Sequence, residues 1–134
     1  MADNKKYKLT IIAPDRVFFQ EDVDFLELTT SEGDIGIYKN HIPLTAVVMP
    51  GVVKIHQDGN VRKAALHSGF ITIFQDEVKI MAEIVEWPEE IDINRANEAK
   101  IRAERKLKEG GSGSQLRRAE IALKKSIVRI EAKK

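Results

Sequence analysis

The sequence changes character near residue 90, and this change restricts the chain to a two-part architecture. Residues 1–88 are short runs rich in β-branched and aromatic residues, divided by turn signals about every 8–12 residues. From Ile93 onward, Ala, Glu, Lys and Arg dominate, and apolar residues recur at the three- and four-residue spacing of a helix face. No helical pattern interrupts the strands, so a parallel βαβ sheet is not expected. The sequence predicts an α+β chain with a β domain followed by helices.

About nine or ten short strands are predicted in the first part, as in a β-sandwich or flattened barrel. The clearest hairpin joins Val52–Gln57 to Val61–His67 through Asp58-Gly59, because Asp-Gly suits a two-residue turn that needs positive φ. The run Leu44–Met49 is apolar apart from Thr45, which predicts a strand buried on both faces.

The second part predicts a helical hairpin. Asp92 is a good N-cap for a first helix over Ile93–Lys108, and Gly110–Ser114 breaks that helix. A second helix is predicted over Gln115–Glu131, with an apolar stripe on Leu116, Ala119, Leu123, Ile127 and Ile130. The stripes on both helices are narrow and rich in Ala. Because Ala buries little area, we expect the hairpin to have only marginal cohesion and to be able to open or dock elsewhere.

Charge is distributed unequally between the two parts. Residues 1–90 carry 9 Lys and Arg against 15 Asp and Glu, whereas residues 91–134 carry 13 against 6. The acidic front and basic tail allow two interpretations. Either the tail binds an acidic partner such as a protein surface, a nucleic acid or a phosphate ligand, or the two parts attract each other.

Several classes of protein are not expected from this sequence. Zero Cys excludes disulfides and thiolate chemistry, and no apolar run is long enough to span a bilayer. The start, residues 1–8, has no apolar h-region and is not expected to be a signal peptide. No metal-ligand spacing, P-loop or Gly-x-Ser-x-Gly elbow is present, and His67-Ser68-Gly69 is interpreted as a turn between strands. We therefore do not expect catalysis by this chain alone.

Two kinds of ligand fit the basic tail. A β-sandwich binding module with a nucleic-acid-binding tail is one alternative, although the tail has no aromatic residue for base stacking. A nucleotide is another, because Arg95 and Arg102 share one face of the first helix, and Lys125 and Arg129 share one face of the second. Hydrogen bonds from an adenine amino group or a ribose hydroxyl could be accepted by two anionic residues near the joint, Glu86 and Asp92.

An ordered set of motifs carries a resemblance to a known family over essentially the full chain. The motifs are Gly33–Ile37, His41–Leu44, Ser68–Phe70, Ile91–Ala96 and Arg118–Leu123. With these motifs in this order, the chain resembles the epsilon subunit of bacterial F-type ATP synthases. Each motif is weak by itself, but the ordered set on a β domain with a helical hairpin is specific.

The resemblance implies a ten-stranded β-sandwich over residues 1–88 that binds the gamma subunit and the c-subunit ring of the central rotor stalk. It implies a two-helix regulatory domain over residues 89–134 that switches between a compact and an extended form. When extended, the basic helices reach an acidic segment of the beta subunits and inhibit ATP hydrolysis. The implied protein is a non-catalytic, peripheral subunit of a proton-translocating complex on the cytoplasmic face of the bacterial plasma membrane.

The resemblance also implies an ATP site. In bacillus-type members, Ile/Leu-Asp-x-x-Arg-Ala binds ATP and holds the hairpin down. Carried over residue by residue, it points to Glu86, Ile91, Asp92, Arg95, Ala96, Arg102, Lys125 and Arg129. Lys125 stands where the family has a further Arg, which keeps the charge but loses the bidentate fork. ATP is expected as a regulatory ligand, with no cofactor required and no metal site.

Overall fold

Ten strands and two long helices make up the chain in the computed structural model, which describes residues 5–134. The strands are β1 Tyr7–Ala13, β2 Arg16–Val23, β3 Phe25–Thr30, β4 Gly33–Ile37, β5 Leu44–Val48, β6 Gly51–Gln57, β7 Asn60–Leu66, β8 Gly69–Ile73, β9 Glu77–Ala82 and β10 Val85–Glu86. A single-turn 3₁₀ helix at Pro88–Glu90 leads to α1 Ile93–Glu109 and α2 Gly113–Lys133. The predicted β-sandwich followed by a helical hairpin is confirmed. Residues 1–4, on which the signal-peptide expectation partly depends, lie outside the described residues.

The strands form one continuous hydrogen-bonded sheet that folds over on itself. Its order is β10-β7-β6-β3-β5-β8-β9-β1-β2, and β4 pairs separately with β3. All pairings are antiparallel except that of β1 with β9, where Leu9 lies opposite Val78 in parallel register. The parallel pair places the first strand of the chain beside the ninth, with β2 at that edge of the sheet and β10 at the other.

The core lies between the folded layers and follows the two-residue period of the strands. In β9, Val78, Ile80 and Ala82 are buried while Lys79 and Met81 are exposed. Large side chains from eight strands are completely buried in this core, namely Leu9, Ile11, Val23, Leu26, Ile37, Ile55, Leu66, Ile71 and Ile80. Burial of these large apolar groups is the main stabilising term of the domain.

The predicted β6–β7 hairpin is present with the expected turn. Asp58 has φ 51° and Gly59 has φ 80°, as a two-residue type I′ turn requires. The register runs from His56 opposite Val61 to Gly51 opposite Leu66.

The prediction that Leu44–Met49 is buried on both faces is wrong. In β5, Val48 is buried but Val47 is 43% exposed. Val47 lies opposite Phe70 on β8, and Phe70 lies opposite Met81 on β9, both also exposed. One face of these three strands therefore carries a row of solvent-facing apolar side chains, which we call the apolar face.

Aromatic packing fixes the joint between the two domains. Trp87 stacks on Phe18 with ring centroids 4.2 Å apart, and the Arg62 guanidinium lies 3.9 Å from the Trp87 ring centroid. Arg16 on β2 forms a 2.8 Å ion pair with Glu90. These contacts determine where the chain leaves the sandwich and enters α1.

The helices pair through small residues, as predicted. Ala103 of α1 and Ala119 of α2 are buried, and Ser112 caps α2 in a capping box with Gln115. The predicted stripe is wrong at Ile127, which is 40% exposed, because α2 turns its neighbour Val128 toward the sandwich. Among the described residues, neither helix combines the length and apolar character needed to cross a bilayer.

The C-terminal end of α2 docks on the sandwich through a small second core. Val128 and Ala132 pack with Ala65 of β7 and with Ile91 at the joint. This core contains only small and medium side chains, so the area that it buries is limited.

Candidate functional site

Glu86 occupies the contact between the sandwich and α2. It lies on β10 opposite Ala65, which places its carboxylate beside the end of β7. Its Oε1 accepts a 2.8 Å hydrogen bond from Nε of Arg129 and lies 3.0 Å from Nε2 of His67. The His67 side chain is completely buried, and its Nδ1 has no partner among the described residues. Oε1 of Glu86 therefore contacts both His67, which follows the end of β7, and Arg129 on α2.

The surroundings of Glu86 favour its ionised form. Partial burial raises the pKa of its carboxyl, but the hydrogen bonds from His67 and Arg129, with the charge of Arg129, outweigh it and lower the pKa to about 2. Glu86 is therefore an anion at neutral pH. Its Oε2 makes no hydrogen bond to the described residues and is available to a ligand's donor group.

Asp92 is the N-cap of α1, as predicted. Its Oδ1 accepts hydrogen bonds from the backbone amides of Asn94 at 3.0 Å and Arg95 at 3.2 Å. Its Oδ2 makes no hydrogen bond to the described residues, and the side chain is exposed. Asp92 therefore starts the helix and still presents an acceptor to solvent.

Ile91 and Ala96 have a packing role in this structure. Ile91 is 5% exposed within the small core under α2, and Ala96 is 4% exposed on α1. Ala96 is small enough for α2 to approach closely at this level.

The predicted cations lie on the two helices. Arg95 and Arg102 are exposed on α1, and Lys125 is half-buried on α2. In the described part of the chain, none of these three forms an ion pair or a side-chain hydrogen bond. The structure thus brings Glu86 and Arg129 into direct contact, while Arg102 lines a cleft near the turn between the helices.

Sequence reasoning missed three residues, of which His67 contacts Glu86 while Lys106 and Arg118 line the cleft near the turn between the helices. His67 had been interpreted only as part of a turn, and Lys106 and Arg118 were not separated from the other basic residues. The spacing of the basic residues could have identified Lys106 and Arg118. Arg102 and Lys106 continue the face of Arg95, while Arg118 lies seven residues before Lys125 on α2. His67 had no such signal, because its contacts are made across the fold.

The fold is that of a two-domain protein in which a basic helical hairpin docks on a ten-stranded β-sandwich. Two family models match this architecture and together cover almost the whole chain. The ATP synthase Delta/Epsilon chain beta-sandwich domain matches residues 6–88, and the Delta/Epsilon chain long alpha-helix domain matches residues 89–134.

Relatives match over nearly their full length. The chain is 41% identical to an ATP synthase epsilon chain of Caldanaerobacter subterraneus subsp. tengcongensis, covering 96% of this chain and 94% of that one. It is 35% identical to the epsilon chain of Bacillus velezensis over 95% of this chain and 96% of the relative. The chain belongs to the epsilon chain family of ATP synthases.

Solved structures show the same fold. A chain in the mitochondrial ATP synthase of Euglena gracilis has a TM-score of 0.85 at 23% identity, covering 98% of this chain and 83% of that one. A chain in the central stalk and c-ring of the Tetrahymena thermophila mitochondrial enzyme has a TM-score of 0.65 at 14% identity, covering 99% and 100%.

Proposed function

We propose that this chain is a non-catalytic central-stalk subunit of an F-type ATP synthase, peripheral to the bacterial plasma membrane on its cytoplasmic face. Residues 1–88 bind the rotor, and residues 89–134 regulate ATP hydrolysis. The observation that carries the proposal is the match to both epsilon-family domains along the chain, with epsilon chains as relatives of nearly equal length. In this proposal the chain couples rotor rotation to the catalytic head through the contacts that its two domains make with the other subunits.

The apolar face of the sandwich supports rotor binding. Phe70 is 59% exposed and Met81 is 63% exposed on adjacent strands, with Val47 beside them. Contiguous exposed apolar side chains typically mark a protein interface. The gamma subunit, with the c-subunit ring next to it, is the proposed occupant, since central-stalk and c-ring assemblies contain chains of this fold.

The hairpin has the properties of a mobile regulator. Among the described residues, Arg129–Glu86 is the one ion pair between either helix and the strands. The remaining basic side chains of the helices do not neutralise the acidic sandwich, and most of them face solvent. This supports the first charge interpretation, in which the basic tail, when extended, binds an acidic segment of the beta subunits and inhibits hydrolysis.

ATP is the proposed regulatory ligand at the joint. The free oxygens of Glu86 and Asp92 accept hydrogen bonds from the adenine or ribose, and the phosphates are bound by Arg95, Arg102, Lys125 and Arg129. To shift the hairpin about tenfold toward its docked form, ATP must favour that form by about 1.4 kcal/mol. A few phosphate contacts that exist only in the docked hairpin suffice for this difference.

Calorimetric titration of the full chain with ATP tests the regulatory site. We expect Arg95→Ala and Asp92→Asn each to weaken ATP binding roughly tenfold, because each removes a charged hydrogen-bonding partner. Asn retains the N-cap function of Asp92, so its effect is separated from helix fraying. Arg105→Ala, an exposed cation on the same helix, is the matched control and keeps wild-type affinity. Unchanged affinity in both test variants would reject the site.

A further inference from the structure

Of the three histidines of the chain, only His67 has a buried side chain. It follows the last residue of β7, and its backbone amide donates a 2.9 Å hydrogen bond to the carbonyl oxygen of Ile84. Imidazole is the side chain whose charge ordinarily changes between about pH 5 and pH 8. A buried imidazole in contact with the docking carboxylate can therefore couple docking of the hairpin to binding of a proton.

The hydrogen bond to Glu86 determines which nitrogen of His67 carries the first proton. Nε2 lies 3.0 Å from Oε1 of Glu86, and because an ionised carboxylate only accepts hydrogen bonds, Nε2 is the donor. Nδ1 is buried and has no hydrogen-bond partner among the described residues, so its lone pair is unoccupied. A second proton can therefore bind at Nδ1 without breaking an existing hydrogen bond.

Arg129 opposes this second proton while α2 is docked. Its Nε donates a 2.8 Å hydrogen bond to Oε1 of Glu86, the same oxygen that His67 contacts. A protonated His67 would therefore share one carboxylate oxygen with the Arg129 guanidinium, and two cations held so close together repel each other. The attraction of Glu86 for a charged imidazole is thus partly cancelled as long as Arg129 stays in place.

The other charged groups near this contact have partners outside the hairpin. Arg16 on β2 pairs with Glu90 at 2.8 Å and also donates to the carbonyl oxygen of Val85 at 3.4 Å. Glu83, between β9 and β10, accepts a 3.0 Å hydrogen bond from the hydroxyl of Ser68. All these residues precede the two helices.

From the helices of the described chain, Arg129 is the one charged side chain that contacts Glu86, and none contacts His67. Arg129 is therefore the charge that this contact loses when α2 leaves the sandwich.

We propose that His67 replaces Arg129 as the counter-ion of Glu86 when the hairpin undocks, so that opening of the hairpin takes up a proton from solvent. With α2 docked, Arg129 neutralises Glu86. With α2 released, the proton bound at Nδ1 makes His67 the cation that neutralises it. The inference rests on the proposed mobility of the hairpin and does not involve ATP.

The direction of the pH dependence follows from linkage. The open form binds the proton on His67 more tightly than the docked form, so acidification favours the open form by the same factor. The docked hairpin is therefore favoured at the upper end of the imidazole range, and this advantage is lost as the pH falls through it. The pKa of Glu86 is about 2, so Glu86 stays ionised over the whole imidazole range.

Amide hydrogen exchange of the full chain in ATP-free buffer, between about pH 8 and about pH 5.5, tests the coupling. Opening is measured by the protection factors of the Val128–Ala132 amides, which correct for the intrinsic pH dependence of exchange. We expect them to fall roughly fivefold to tenfold in the wild type, since uptake of one proton changes an equilibrium by at most about tenfold per pH unit. His67→Gln keeps a donor for Glu86 but cannot titrate, so its protection factors should stay within about twofold.

The matched control is His56→Gln. His56 is a half-buried histidine on β6 whose Nε2 lies 2.6 Å from Glu27, away from the hairpin contact, and its variant should keep the wild-type pH response. Protection that does not change with pH in the wild type, or an equal response in His67→Gln and the wild type, would overturn the proposal.

The same data separate this proposal from that of a mobile hairpin. If the α2 amides open before the strand core but with no pH response, only the role of His67 is rejected. If they exchange no faster than the amides of β9 in the strand core, the hairpin does not open by itself, and its proposed mobility is rejected as well.

A second measurement decides the case in which His67→Gln does not dock its hairpin. The imidazole resonances of His67 are titrated in the wild type and in Arg129→Gln. We expect His67 to bind its proton more tightly in Arg129→Gln, because no guanidinium then competes for Glu86. Equal proton affinity of His67 in the two proteins would overturn the exchange of counter-ions.

Discussion

Glu86 is the residue on which the docking of the hairpin most directly depends. It is the only side chain of the described strands that forms an ion pair with α1 or α2, and the same oxygen contacts the buried His67. Breaking a partly buried charged contact leaves the remaining groups incompletely hydrogen-bonded. Glu86 also belongs to the proposed ATP site, so ligand binding and docking act through the same carboxylate.

Glu86→Gln is expected to loosen α2 by about 1–2 kcal/mol, because the ion pair with Arg129 is lost and a neutral amide oxygen accepts weaker hydrogen bonds than the carboxylate does. Amide hydrogen exchange at Val128–Ala132 measures this local opening. Glu89→Gln, at an exposed carboxylate nearby, is the control and leaves the exchange rates unchanged. Equal protection in the two variants would show that Glu86 does not hold the helix.

The pH dependence of docking follows from the same group. The pKa of Glu86 is lowered to about 2 in the fold from an ordinary value of 4.5. The stabilisation is therefore fully present above pH 4.5 and is lost as the pH falls toward 2. The protection factors of the α2 amides, which correct for the intrinsic pH dependence of exchange, should fall over that interval in the wild type, and they should fall less in Glu86→Gln. An identical acid response in both proteins would contradict this assignment.

At the scale of elements, the distance from a glycine to the neighbouring backbone determines whether a larger residue can replace that glycine. Gly69 begins β8, and a Cβ built there would lie 2.1 Å from the backbone oxygen of Met81 and 2.9 Å from Cα of Ala82. Gly113, the first residue of α2, has no neighbouring atom within 4 Å of its Cβ position. The same substitution therefore has opposite consequences in the two elements.

Gly69→Ala is expected to destabilise the chain by about 2–3 kcal/mol, because β8 and β9 must separate to accommodate the methyl group. Gly113→Ala is expected to be neutral or slightly stabilising, since Ala favours a helix and meets no obstacle. Urea-induced unfolding followed by tryptophan fluorescence measures both changes. Similar midpoints for the two variants would contradict the close approach at Gly69.

At the scale of the whole molecule, the two domains differ in how much they depend on each other. The large core is built entirely from residues of the sandwich with Trp87 packed against it, and no helix residue belongs to it. The helices meet the sandwich through the small core around Val128 and through the Glu86 contact. A sandwich that is stable by itself, with a helical hairpin docked on it through a small contact, is the physical consequence.

A fragment of residues 1–88 is therefore expected to fold cooperatively, with a melting temperature within about 10 °C of the full chain. It should bind a complex of gamma subunit and c-ring, and Phe70→Asp on the apolar face should weaken that binding.

When added to a catalytic complex lacking this subunit, the full chain should slow ATP hydrolysis and the fragment should not. Inhibition by the fragment would assign regulation to the sandwich.

The sequence by itself determined the features that depend on near neighbours along the chain. The Asp58-Gly59 turn and the Asp92 cap were predicted because a turn or cap is made by residues within a few positions of each other. The ordered motifs also predicted the family and its fold. The assignment of ATP-binding residues stays a prediction that rests on the resemblance.

The tertiary structure alone decided the contacts between distant segments. The fold of the sheet determines that β1 pairs with β9 and that Val47 is exposed to solvent. The position at which α2 packs on the sandwich determines that Glu86 contacts both His67 and Arg129. An apolar run such as Leu44–Met49 has the same pattern whether one face or two are covered, because periodicity does not record what packs on a strand. The same limit applies to Arg102 and Arg118, which lie on different helices and line one cleft only because those helices pair.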